Sequence, residues 1–147
     1  FAAAPPVQQV LDLPFGDQVI LHGYTVANNG DLLLFWQRPT PAAGAGDLHM
    51  ALQTATLAGQ PLAQPQDRRL AGYTYPTFRW PQGQIVMGHV PAADWLGDVP
   101  VAGDEPYTGA VQVTLRVYDG RDPAATPLPT AAGEDRLTLP RVEIVID

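Results

Sequence analysis

The sequence predicts one all-β domain over residues 1–147, an antiparallel sandwich of immunoglobulin-like or jelly-roll-like type with roughly seven to nine short strands. Three observations carry this. Val111, Val113, Leu115 and Val117 alternate with Gln112, Thr114, Arg116 and Tyr118, a period of two that puts one face on a core and the other in water. Gly (14) and Pro (16) are scattered along the chain and punctuate it into short segments. No useful window carries the i, i+3, i+4 apolar spacing of an amphipathic helix without a proline inside it.

The elements follow in order. Q-V-I-L-H-G-Y-T-V (18–26) is a strand, and Asn28-Asn29-Gly30 after it supplies the positive-φ residues of a tight hairpin. Gly30 to Gln37, G-D-L-L-L-F-W-Q, is a nearly continuous apolar run, the pattern of a central strand covered on both sides. Leu48, Met50 and Leu52 alternate in the next strand, which A-G-Q-P closes with a turn. Ile85, Met87 and His89 mark a strand after Pro81-Gln82-Gly83. The stretches 91–106 and 121–133 read as long loops. At the C-terminus Leu137 and Leu139 share one parity while Val142, Ile144 and Ile146 share the other. Pro140 stands at the flip, so a bulge or change of sheet is expected there.

Composition bounds function. At 46% hydrophobic residues the chain can build a core. Its formal charge of -7, with no basic run beyond Arg68-Arg69, excludes nucleic acid and disfavours an anionic membrane surface. Ser, Lys and Cys are absent, which removes serine and cysteine nucleophiles, Schiff-base and P-loop lysines, disulfides and thiolate metal sites. No apolar run approaches the roughly 20 residues of a membrane helix. The opening F-A-A-A-P-P has neither initiator Met nor basic leader. The expectation is a piece of a longer or processed protein, with residues 1–6 a disordered leader or linker and any anchor outside the chain.

Two clusters offer chemistry. Tyr73, Tyr75, Phe78 and Trp80 crowd around two prolines beside Arg79, a set able to stack on and hydrogen-bond a sugar ring. The competing account has Phe78 and Trp80, which share parity, both pointing into the core. Asp94, Asp98, Asp104 and Glu105 form an acidic loop with oxygen ligands suited to Ca2+, without the spacing of an EF-hand; solvated loop charge is the plainer account. No other cofactor is implied. His22, His49 and His89 stand singly, and no catalytic signature occurs.

F-G-D-Q-V-I-L-H-G-Y, L-L-L-F-W-Q, G-Q-P-L-A-Q, Y-P-T-F-R-W-P-Q-G-Q-I-V, V-T-L-R-V-Y-D-G and G-E-D-R-L-T-L-P-R-V-E-I follow one another from Phe15 to Ile144. In this order they resemble a β-sandwich domain that some bacteria append to large membrane proteins similar to protein-mannosyl and lipid-A aminoarabinose glycosyltransferases. The resemblance implies a bacterial, extracytoplasmic, non-catalytic accessory domain, whose partner is a glycan or the parent membrane protein. A rival expectation is a purely structural domain docking on its own polypeptide with no small ligand. In the resembling domains Tyr-Pro-Thr…Trp…Gly belongs to the frame, which assigns Trp80 to packing and leaves Tyr73, Tyr75 and Phe78 freer to meet a ligand.

Overall fold

The computed structural model describes residues 7–39, 46–72, 75–97 and 107–146. Among the described residues, eight strands form two four-stranded antiparallel sheets. The first contains β1 (Gln9–Phe15), β2 (Val19–Val26), β3 (Leu32–Gln37) and β6 (Ile85–Val90), in the order β1-β2-β3-β6. The second contains β4 (Leu48–Thr56), β5 (Gln66–Arg69), β7 (Tyr107–Asp119) and β8 (Leu137–Ile146), in the order β5-β4-β7-β8. The chain thus runs a meander through the first sheet, crosses for β4 and β5, returns to lay β6 beside β3, and finishes in the second sheet.

Alternation decides which residues close the sandwich. Leu48, Met50, Leu52, Val111, Val113, Leu115, Val117, Val142 and Ile144 enter the core from the second sheet. Val19, Leu21, Leu34, Trp36, Val86 and Val90 meet them from the first. All three tryptophans are buried, Trp36 from β3, Trp80 and Trp95 from connections. Trp95 belongs to a five-residue helix, α1 (Ala92–Leu96), inside a stretch expected to be loop only. The turn is too short to show a helical period. Trp95 holds it by burial and by donating Nε1–H to the Gly30 carbonyl at 2.8 Å.

The hairpin ends share one device. Gly30 N–H donates to Ala27 O at 2.9 Å while Ala27 N–H donates to Asp31 O at 2.9 Å. The same pair of bonds recurs at Thr56–Gly59–Gln60 and at Thr130–Gly133–Glu134. The third loop residue is in each case a glycine with φ between 77° and 93°, the left-handed position that closes a three-residue loop with a bulge. Of Asn28, Asn29 and Gly30, then, only the glycine takes positive φ. The expected irregularity in β8 also falls in place: pairing slips by one residue between Val111↔Val142 and Val113↔Leu139, opposite Pro140 and Arg141. A proline has no N–H for the ladder, so the bulge sits where a bond is missing anyway.

Candidate functional site

The aromatic loop is built as a buttress. Thr77–Arg79 form one turn of 3-10 helix, in which residues two apart point about 240° from each other. The parity expected to turn Phe78 and Trp80 inward together therefore does not operate, and they part: Trp80 is 1% exposed, Phe78 39%. Trp80 donates Nε1–H to Tyr75 O at 3.1 Å, and its carbonyl accepts from the buried Arg38 guanidinium. Buried Thr77 accepts the Leu48 N–H at 2.8 Å and donates to Gly46 O at 2.5 Å, stitching the turn to the start of β4. Tyr75 stays 37% exposed with its ring 6.3 Å from that of Trp80, and Arg79 is exposed. The loop thus offers two part-exposed rings, Tyr75 and Phe78, over a closed base; Tyr73 lies outside the described residues.

Of the acidic set only Asp94 is described. It accepts from Arg68 Nη2 at 2.9 Å; Asp98, Asp104 and Glu105 lie outside the described residues. Among the described residues no group of three His, Cys, Asp or Glu converges to hold a metal ion. Each histidine instead sits beside an aspartate: His22 Nδ1 is 2.7 Å from Asp12 Oδ1, His89 Nε2 2.6 Å from Asp31 Oδ2, and His49 Nε2 3.8 Å from Asp47 Oδ1. Asp31 ties the β2–β3 hairpin to α1 as well, accepting the Ala92 N–H at 2.9 Å. Burial pushes its carboxyl upward, but the bonds from His89, Ala92 and Asn29 outweigh this and hold it below the usual aspartate value.

The feature that alternation did not assign is the outer face of the first sheet. β6 alternates cleanly, but Val86, Gly88 and Val90 face inward, while Ile85 and Met87 stand out at 45% and 40% exposure. The inward side accepts Gly88 because the Leu70 carbonyl presses against it, where a Cβ would collide. Across the sheet Met87 pairs with Phe35, Phe35 with Gly23, and Gly23 with Val10. Beside this row run Ile85, Gln37, Ile20 and Pro14. Phe35 lies on the far side from Leu34 and Trp36, and is 1% exposed although it is no part of the inner core. Val7 lies over Gly23, filling the space that a Cβ would take.

On this outer side Val10 of β1 stands 61% exposed at one edge and Met87 and Ile85 of β6 stand 40% and 45% exposed at the other, while Phe35 and Gly23 between them are covered. Gln37, Thr25 and His89 are its polar members, and no Lys or Arg stands in these rows. The signal in the sequence was the apolar run of β3 together with Ile85 and Met87. Both sides of these strands carry apolar residues, so period two alone cannot say which side meets the second sheet.

No protein-family model, no curated protein and no solved structure matches the chain in comparisons with known proteins.

Proposed function

We propose that this domain is a non-catalytic accessory module that docks on a protein through the outer face of the β1-β2-β3-β6 sheet. The observation that carries the reading is the cross-strand apolar surface on which Val10, Ile85 and Met87 stand 40–61% exposed. Large apolar side chains left exposed on one side of a sheet cost solubility unless a partner covers them. Its chemistry favours protein over lipid: an anionic bilayer would attract a cationic rim, and these rows have none in a chain of net charge -7. Met87 adds a flexible, polarisable side chain suited to an imperfectly matched protein surface.

The partner we assign is the rest of the polypeptide to which such domains are appended. That assignment, and a place outside the bacterial membrane, rest on the sequence resemblance. Sugar stacking on the aromatic loop has weaker support, because Trp80 is closed off and, among the described residues of the loop, the part-exposed rings are Tyr75 and Phe78. A photo-crosslinking residue placed at Met87 of the natural gene product in its own membranes tests the docking reading. Adducts at one reproducible protein peptide, absent from the same probe at exposed Leu57 just beyond β4, are expected. Lipid adducts, or equal yields from both positions, overturn it.

A further inference from the structure

The second sheet turns a different surface outward. Its outer rows are Arg69–His49–Tyr118, then Asp67–Ala51–Arg116, then Gln53–Thr114–Thr138. The middle row has the smallest side chain at its centre. Ala51 forms a floor, with long polar side chains on the neighbouring strands and at the next positions along its own. Two clefts, of about 540 and 330 Å³, adjoin at the Ala51–Asp67 pair. Pro65 and Pro127 stand at the sides of the smaller. From His49 to Gln53 the floor runs roughly 13 Å, the rise of four strand residues.

We propose that this groove is a binding site for a neutral oligosaccharide. A hydroxyl both donates and accepts, so a polyol needs both kinds of partner at close spacing. The groove supplies donors in Arg69, Arg116 and Gln53 and acceptors in Asp67 and Gln53. Tyr118 brings a ring for the C–H face of a sugar. Its hydroxyl donates to Asp67, its ring lies 5.9 Å from that of His49, and the Arg116 guanidinium stands 5.8 Å from its centroid.

The lining is also held in place before any ligand arrives. Arg69 is fixed by two bonds to Asp47, at 3.0 and 2.9 Å, and Arg116 donates to Ala125 O at 2.6 Å. Gly120 is pressed so close to the His49 ring that a Cβ would collide with it. Fixed side chains lose little freedom on binding, which keeps the cost of ordering low.

Charge selects the class of ligand. Arg69 faces Asp47, Arg68 faces Asp94 and Arg136 faces Asp135, so three cations of this region already have carboxylates, while Arg116 is held by the Ala125 carbonyl. With a chain of net charge -7 around it, an anion gains little here. An apolar peptide finds no apolar floor comparable to that of the opposite sheet. The inference is independent of the docking reading, since it concerns the other face.

The test is a titration of the chain, followed by backbone amide shifts, with cellohexaose, maltohexaose, mannohexaose and chitohexaose, and separately with inorganic phosphate. At least one neutral hexaose is expected to give saturable shifts clustered on 49–53, 66–69 and 114–118. Asp67→Asn and Tyr118→Phe, both conservative enough to retain the wild-type spectrum, are expected to weaken binding roughly tenfold each. Three results overturn the proposal: no saturable shift with any hexaose at about 10 mM, shifts confined to 75–80 or to the first sheet, or binding that both variants leave unchanged. Phosphate producing the same shifts as the sugars overturns the ligand class.

Discussion

Thr54 projects into the core in line with Leu52, 2% exposed, and its hydroxyl has no hydrogen-bond partner among the described residues. A buried hydroxyl left unbonded keeps its desolvation cost without recompense. Thr54→Val, which replaces it by a methyl of similar shape, should therefore hold or raise stability by about 1 kcal/mol, or about 2–4 °C in Tm at this chain length. A calorimetric Tm lowered by more than a few degrees would show that the hydroxyl is bonded. Asp31 makes the opposite case. Its carboxyl is held below the unfolded value, so its stabilisation is complete above about pH 4 and is lost as pH falls through the folded value. Asp119, where burial is outweighed by the bonds from Arg121, adds to the same trend. Asp31→Asn should lose less stability than the wild type between about pH 5 and pH 2, and parallel losses in denaturation midpoints would contradict this. Neither case could be read beforehand. Sequence shows a Thr in a strand and an Asp in a turn, but not that one is orphaned and the other bonded three ways.

At the scale of elements, legibility followed regularity. β7 was plain because eight residues alternate without interruption, and the β8 irregularity was plain because Pro140 marks it. β1 was not read: Asp12 takes φ 50° at a bulge between Val10 and Leu13, which breaks the alternation that would have announced a strand. The 3-10 turn at Thr77–Arg79 was hidden for another reason. Its side chains point according to a period of three, so pairing Phe78 with Trp80 by parity misplaced Phe78. What fixes that turn is Thr77, through two hydrogen bonds to the strand entering the second sheet. Thr77→Val removes an acceptor and a donor from a buried site and should cost about 2–3 kcal/mol, lowering Tm by roughly 5–10 °C, while Thr77→Ser should keep most of the loss away. Equal melting temperatures for the Val and Ser variants would mean that packing of Trp80, not Thr77, positions the loop.

On the scale of the whole molecule, the two sheets are alike inside and unlike outside. Both bury aliphatic rows against each other, which is why alternation, with the turn signals between strands, made the sandwich legible. Outside, β1-β2-β3-β6 carries Val10, Phe35, Ile85 and Met87, whereas β5-β4-β7-β8 carries His49, Asp67, Arg116 and Tyr118. That asymmetry becomes visible only when strand order brings distant segments side by side, β3 beside β6 and β5 beside β4. The aromatic and acidic loops, conspicuous in the sequence, drew attention to connections, while the broader surfaces were spread over four strands each. An apolar face and a polar groove on opposite sides suit a module that is held by one side and samples ligand with the other.

The two methionines supply the direct test of the docking face. Met50 is in the core at 1% exposure and Met87 stands on the apolar face at 40%. Their oxidation by hydrogen peroxide, followed by mass spectrometry, should be compared between this chain alone and the natural gene product in extracts of its own cells. Fast oxidation of Met87 and slow oxidation of Met50 are expected in the chain alone, with Met87 slowed severalfold in the natural setting and Met50 unchanged. Met87 oxidising equally fast in both would contradict a docked face.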